Sequence, residues 1–180
     1  MRHLLRTRLE PLHSRLDRMV EAACFQEPLD LGRLLRIHHE ALTAIVPALE
    51  QAGAANLFPG WEGRSRLALL EADLADLDTR PAAAGNPPAL PDERDVWGAL
   101  YAIEGSRLGN RVLLRRVTER GNGRERQATR FLAQAPAAQA SWAAFVVQLD
   151  ALDYRGKDFE TALRGAEAVF GVYLAAAAAR

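Results

Sequence analysis

The spacing of the apolar residues constrains this chain most, because it follows a helical period almost throughout. In the opening segment Leu5, Leu9, Leu12, Leu16 and Met19 recur at steps of three and four, which places them on one face of a helix. Alternating runs of Val, Ile, Thr and aromatic residues, the pattern of half-buried strands, do not occur. The sequence therefore predicts an all-α protein.

The pattern divides into about seven helices. Their predicted ranges are 4–24, 28–51, 62–78, 92–120, 124–134, 137–152 and 158–178. Pro11 in the first predicts either a kink or a later start, and Pro47 predicts a bend in the last turn of the second. The proline-rich segment 79–91 predicts a loop, because neither flank is long enough to form a separate domain. The expected organisation is a single domain over residues 1–180.

Composition and charge exclude several classes of function. The 180 residues carry 23 Lys and Arg against 23 Asp and Glu, so no basic excess indicates nucleic-acid binding. No apolar run reaches the roughly 18 residues of a membrane-spanning helix, and the arginine-rich N-terminus does not resemble a secretory signal. The single cysteine, Cys24, leaves no internal disulfide and favours a reducing, cytoplasmic setting.

The longest predicted helix contains several glycines. Within Trp97–Val112 (WGALYAIEGSRLGNRV), Gly98, Ala102, Gly105 and Gly109 form one strip without bulky side chains. Three interior glycines destabilise a helix by about 3 kcal/mol relative to alanine, so another group must approach this backbone closely. Close packing of a second helix is the simpler interpretation of the periodicity. A flat ligand lying across the helix is the alternative.

Two histidines are candidate metal ligands. His13 lies beside the apolar face of the first helix, where Asp17 could accept a hydrogen bond from one imidazole nitrogen and leave the other free for a metal. Arg6, two turns earlier, could contact an anion beyond that metal. A partly exposed histidine in a helical salt bridge is the alternative. His38 points into the apolar face of the second helix, where a hydrogen-bonded core histidine is the commoner outcome.

Other catalytic and metal-binding motifs do not occur in the sequence. It contains no CxxC or HExxH pattern, no paired-carboxylate metal spacing and too few histidines for a multi-histidine zinc site. A phosphate-binding loop, a dinucleotide fingerprint and a nucleophile elbow are also missing.

Two of the segments resemble the heme oxygenase family. LRTRLEPLHSRLD (Leu5–Asp17) resembles the helix whose histidine coordinates heme iron, and LYAIEGSRLGNRVL (Leu100–Leu113) resembles the distal helix of the bacterial branch. Weaker similarities in the family order extend over most of the chain. The subgroup to which it is most similar supplies biliverdin to bacterial phytochromes. The resemblance implies the multi-helix fold of that family.

Carried over residue by residue, the resemblance implies a heme site between these two segments. His13 matches the iron ligand, Asp17 its acidic partner, and Arg6 a basic residue that contacts a heme propionate. Gly105 and Gly109 match the distal glycines, whose backbone approaches the side of the heme where oxygen binds.

The distal segment supplies the other expected site residues. Ser106 and Asn110 are expected on the catalytic side, and Tyr101, Arg107 and Arg111 are expected to contact the cofactor. Asn110 stands where the family usually has glycine or alanine, and Ser106 where some members have an aspartate. The predicted helix 137–152 contains no basic residue for the propionates, so the orientation of the heme stays open.

The resemblance implies oxidative cleavage of heme by O2 to biliverdin, carbon monoxide and ferrous iron. Electrons would come from a ferredoxin or a reductase, because the sequence has no flavin or nicotinamide motif. A bacteriophytochrome is a candidate acceptor of the biliverdin. Two alternatives stay open at this point: a non-catalytic heme- or bilin-binding protein of the same fold, which Asn110 would suit, and a helical interaction module without heme.

Overall fold

The computed structural model describes residues 1–59, 61 and 63–179, and at 64, 65 and 135–140 only the course of the backbone. The described residues form helices and loops without a strand, which confirms the predicted all-α class. The helices are α1 (Arg2–Cys24), α2 (Leu31–Gln51), α3 (Ala54–Leu57), α4 (Gly63–Asp76), α5 (Glu93–Arg120), α6 (Gly123–Gln127), a 3-10 helix (Leu132–Gln134), α7 (Ala135–Ala151) and α8 (Lys157–Ala178). Within these residues, no helix combines the length and hydropathy of a membrane span.

The long helices lie close to their predicted boundaries. α1 continues without a break through Pro11. α2 begins after Pro28, because the Asp30 carboxylate accepts a hydrogen bond from the Arg33 backbone nitrogen at 2.8 Å and caps the helix there. Glu62, the predicted first residue of the following helix, lies outside the described residues.

The prediction of one helix over 124–134 is wrong. The segment forms the short α6 and the separate 3-10 helix instead. Asp73 is fully buried, and its carboxylate accepts the backbone N–H groups of Arg130 at 3.1 Å and of Phe131 at 2.8 Å. The Asp73 side chain therefore satisfies two backbone donors between the two short helices, so these N–H groups do not require the hydrogen bonds of a continuous helix. The short α3 was not predicted either, since 4 residues carry no periodic signal.

The start of α5 is fixed by its own cap and by α8. The Asp92 side chain accepts a hydrogen bond from the Arg94 backbone nitrogen at 2.9 Å, and the Asp95 carboxylate accepts one from the Asp92 backbone nitrogen at 3.2 Å. Asp95 is fully buried and also accepts two hydrogen bonds from Arg164 of α8, at 2.9 and 2.7 Å. One carboxylate thus caps α5 and joins it to α8.

The backbones of α5 and α8 lie in near contact where the two helices cross. A Cβ on Gly98 would lie 1.7 Å from the carbonyl oxygen of Ala162, and a Cβ on Gly165 would lie 2.0 Å from the carbonyl oxygen of Asp95. Neither position can hold a side chain, so the two glycines permit this close crossing. Because α8 also packs against α1 and α2, it fixes the positions of α1, α2 and α5 relative to one another.

Candidate functional site

α1 and α5 run side by side in the same direction. Toward their ends, the Arg116 guanidinium of α5 donates to both carboxylate oxygens of Glu21 in α1, at 2.5 and 2.8 Å, and these residues are 95 positions apart in the chain. Toward their beginnings, Arg6 of α1 lies close enough to Tyr101 of α5 to affect the phenol electrostatically. Arg2, one turn earlier in α1, acts on the same phenol.

The Glu21–Arg116 contact places His13, eight residues before Glu21, level with the stretch of α5 about eight residues before Arg116, which includes Leu108 and Gly109. Both helices rise by about 1.5 Å per residue, so this offset is maintained over the two turns between Glu21 and His13. In the described part of the chain, α1 and α5 are not among the helix pairs with the closest backbones, whereas both pack on α8. The space between them, with α8 as its floor, is the α1–α5 cleft.

His13 has one ring nitrogen bonded and the other available. Its Nδ1 lies 3.1 Å from Asp17 Oδ2, and its side chain is 60% exposed. The ring of Phe170, from α8, meets the imidazole edge-on with the centroids 6.2 Å apart. A hydrogen bond donated from Nδ1 to the carboxylate favours the tautomer whose Nε2 lone pair can bind a metal.

The glycine strip of α5 has two different environments. Gly98 is closed off by α8, as described above. A Cβ on Gly109 would meet no atom within 4 Å, and a Cβ on Gly105 would meet the Trp142 ring at 3.5 Å. Helix packing therefore explains the start of the strip, while Gly109 leaves open space at the level of His13.

Trp142 of α7 borders the strip beside Gly105. Its ring centroid lies 5.7 Å from that of Tyr101 and 5.9 Å from that of Phe145. Sequence reasoning gave no role to Trp142 or to Phe170, because contacts between distant helices leave no periodic signal. The available signal was the weaker family similarity of the two segments that contain them, Trp142–Phe145 and Ala166–Phe170.

Two polar residues predicted for the site are hydrogen-bonded within the protein, and a third is buried. Arg107 is buried, and its Nη1 donates to Glu104 Oε2 at 2.7 Å and to Ser141 Oγ at 3.2 Å. The Ser106 hydroxyl donates to a backbone carbonyl of its own helix at 2.8 Å, and Asn110 is 4% exposed. The Arg107 guanidinium thus stabilises the contact between α5 and α7 through the fully buried Glu104.

The beginnings of α1 and α5 bring a phenol close to positive charges. Burial raises the pKa of Tyr101, and the nearby guanidinium groups of Arg6 and Arg2 partly offset this rise. Arg6 is exposed, and so is Arg111 farther along α5. Guanidinium and phenol groups are suitable partners for the carboxylates of a ligand.

His38 has the environment of a core residue. Its ring lies between those of Phe131 and Tyr173, with centroid distances of 4.9 and 5.6 Å, and its Nδ1 is 3.5 Å from the Tyr173 hydroxyl. Burial and the nearby Arg66 guanidinium lower the pKa of His38 to about 3. These contacts agree with a neutral, packed histidine.

A separate cavity of about 600 Å³ lies between α2 and the loop over 84–90. Alanine, proline and leucine side chains form most of its wall, and it is lined by no histidine and no charged side chain. Within the described residues, no group of three or more His, Cys, Asp or Glu side chains is arranged to hold a metal ion. The α1–α5 cleft is therefore the better candidate, since it brings together a histidine, a bare helix surface and basic groups.

Comparison with known proteins identifies the family, although no family model matches the chain. A heme oxygenase of Xanthomonas campestris is 32% identical over 139 residues, which cover 77% of this chain and 83% of that protein. The chain belongs to the heme oxygenase family. The heme oxygenase PigA of Pseudomonas aeruginosa is 27% identical over 166 residues, or 88% of this chain and 81% of that protein. These relatives confirm the predicted bacterial heme oxygenase resemblance.

A solved structure confirms the heme oxygenase fold. The NO- and CO-bound heme oxygenase of Neisseria meningitidis superposes with a TM-score of 0.74 and covers 98% of this chain and 89% of its own. The sequence identity is 23%, so this likeness concerns the fold.

The residues of the α1–α5 cleft fit a heme. The porphyrin nitrogens already hold the iron, so one neutral imidazole such as His13 is the ligand that the protein has to supply. The open side of Gly109 leaves room for a flat ring against the helix backbone. Arg6 and Tyr101 lie where α1 and α5 begin and match the carboxylates of the heme propionates.

Proposed function

We propose that this heme oxygenase family member cleaves heme with O2 and external electrons to biliverdin, carbon monoxide and ferrous iron. The observation that supports the proposed site most directly is the position of His13, level with the open face of Gly109 across the α1–α5 cleft. Bound heme supplies the iron at which dioxygen is activated and is itself the substrate, so the protein needs no nucleophile of its own.

On the proximal side, the protein orients a single ligand. His13 would bind the iron through Nε2, while its Nδ1–H donates a hydrogen bond to the Asp17 carboxylate, which holds the imidazole plane. Phe170 limits rotation of the ring from below. These contacts fix the tautomer and the plane of the imidazole and leave Nε2 free to bind the iron.

On the distal side, the protein supplies a bare backbone and a rigid wall. Gly105 and Gly109 would let the heme lie close to α5, and the Trp142 ring packs beside Gly105. Glu104 and Arg107 hold α5 against α7 from within the protein. Ser106 and Asn110 lie on the same stretch of α5. Because the Ser106 hydroxyl is bonded to its own helix and Asn110 is buried, both add little polar surface near the heme.

Arginine and tyrosine side chains of α1 and α5 would bind the heme propionates. Arg6 and Tyr101 are the first pair for this role, and the exposed Arg111 is the third candidate. Arg107 is assigned no propionate contact, because its guanidinium is already paired with Glu104.

The proposal extends to co-substrate, partners and setting. O2 is the oxidant, and a ferredoxin or reductase supplies electrons, because the sequence has no flavin or nicotinamide motif. A bacteriophytochrome is a further candidate partner that accepts biliverdin, supported by the resemblance of the two helical motifs to that subgroup. We propose a single cytoplasmic domain over residues 1–180, consistent with the single cysteine.

Hemin titration followed by ascorbate tests this function. We expect a Soret band that saturates at one hemin per chain, and then its loss under air with the spectrum of biliverdin appearing. A stable Soret band after reduction would contradict catalysis and leave a heme-binding protein. Failure to develop a Soret band would contradict the heme site altogether.

Filling the open space beside Gly109 should block the substrate. In Gly109→Leu the side chain would occupy the open space beside α5 at the level of His13, so hemin affinity and biliverdin formation should each fall by roughly tenfold or more. Absorption titration and product formation in single-turnover assays measure the two effects.

Gly123→Leu is the matched control for this substitution. A Cβ at Gly123 is equally free of contacts, but the residue lies beyond the end of α5. Its hemin affinity should remain that of the unsubstituted protein. Equal losses in both variants would show that leucine acts through general destabilisation and not through the cleft.

A further inference from the structure

The Glu21–Arg116 pair joins the two walls of the α1–α5 cleft directly. Both guanidinium nitrogens of Arg116 donate to the Glu21 carboxylate, at 2.5 and 2.8 Å. The Arg116 guanidinium also lies 3.8 Å above the centre of the Phe25 ring, at the end of α1. These three residues form what we call the clasp.

The clasp is continued by the next turn of α5. Arg120 donates to Glu27 Oε1 at 2.8 Å and to the Gln26 carbonyl at 3.5 Å. The hydrogen bond from Arg116 lowers the pKa of Glu21, which agrees with a charged pair at neutral pH. Two successive turns of α5 therefore hold the end of α1 through side chains that cross between the helices.

The clasp lies close to the proposed heme site on both helices. Glu21 follows His13 by about two turns, or roughly 12 Å, and Arg116 follows Gly109 by about two turns, or roughly 11 Å. A bidentate guanidinium–carboxylate pair has a fixed planar geometry. The separation of α1 and α5 is thus constrained within a short distance of the point where the heme would lie.

We infer that Glu21 and Arg116 are positioning residues that set the width of the α1–α5 cleft and hold His13 at ligating distance from a heme lying on α5. This inference rests on the proposed function. α8 supports both helices from below, but the clasp connects them to each other. Loosening the clasp would let α1 move outward and weaken the bond between His13 and the iron.

The test measures the loss of bound heme to excess apomyoglobin for three variants. The pair is partly exposed, so its loss should have a moderate effect, and Glu21→Gln should speed heme loss by roughly fivefold. Glu21→Arg should speed heme loss further through repulsion between like charges. The double variant Glu21→Arg with Arg116→Glu restores opposite charges and should return the rate to within about twofold of the original. The Soret band should broaden in the single variants and recover in the double variant.

Glu160→Gln provides a matched control. Arg8 of α1 donates to both carboxylate oxygens of Glu160 in α8, at 3.3 and 3.4 Å, so this pair also holds α1 but does not join it to α5. Its loss should leave the rate of heme loss and the Soret band unchanged. The thermal unfolding midpoint of each heme-free variant separates a change in cleft width from a change in stability.

Two results would overturn the inference. One is an unchanged rate of heme loss in Glu21→Arg, and the other is an equal acceleration in Glu160→Gln. A different result, absence of heme binding by the unsubstituted protein, would overturn the proposed function itself. Normal heme binding with a clasp that has no effect would overturn only the role of the clasp.

Discussion

His13→Ala should remove the protein ligand of the iron and nearly abolish heme cleavage. Loss of a residue that merely orients a metal-bound histidine weakens metal affinity or activity by about 10- to 100-fold, so loss of the ligand itself should reduce biliverdin formation by at least about 100-fold. The His13 side chain is largely exposed, so the free energy of unfolding of the heme-free protein should change by less than about 0.5 kcal/mol. Hemin titration, single-turnover assays and urea unfolding measure the three quantities.

Comparison variants make this result specific to the ligand. Asp17→Asn keeps the imidazole but weakens its hydrogen bond, and should give an intermediate loss of activity. His3→Ala removes another exposed histidine of α1 and should leave the spectrum unchanged. An unaltered Soret band in His13→Ala would contradict the assignment and return His38 to consideration.

Gly98→Ala should have the largest effect on stability. The added Cβ would lie 1.7 Å from the Ala162 carbonyl oxygen and 3.0 Å from the Ala166 nitrogen, and these are backbone atoms that cannot rotate away. α5 and α8 would have to move apart, so we expect destabilisation by about 3 kcal/mol or more. In a protein of this length that corresponds to a fall in Tm of about 6 to 12 °C.

The same substitution at Gly109 should act in the opposite direction. A Cβ there meets no atom within 4 Å, and alanine favours a helix over glycine by up to about 1 kcal/mol. Heme-free Gly109→Ala should therefore unfold at the same or a higher temperature, while Gly98→Ala unfolds at a lower one. Equal changes in the unfolding temperature at the two positions, measured by calorimetry or circular dichroism, would contradict the conclusion that Gly98 is packed against α8 while Gly109 is open.

Local signals in the sequence were sufficient for much of the fold and for part of the site. The period of the apolar residues predicted the long helices, including α5, whose expected range of 92–120 lies within one residue of its observed bounds. The spacing of His13 and Asp17 within one helix predicted their contact, and the structure contains it at 3.1 Å. The two family motifs predicted the fold and the family, which the relatives confirm.

Contacts between distant segments could not be read in the same way. The different environments of Gly98 and Gly109 depend on where α8 crosses α5, and the periodicity of α5 contains no information about α8. Arg107 was expected to bind the cofactor, but it is paired with Glu104 and reaches Ser141 of another helix. The false helix over 124–134 has a similar cause, because a carboxylate of α4 satisfies its backbone donors.

The crossing of α8 under both walls of the cleft has a consequence for the catalytic cycle. A protein that degrades its own ligand loses a large, flat apolar molecule from its binding cleft in every catalytic cycle. The Gly98–Gly165 crossing and the packing of α1 on α8 consist of contacts between protein groups, so we expect this scaffold to persist from one substrate molecule to the next. The destruction of the substrate need not be followed by refolding of the protein.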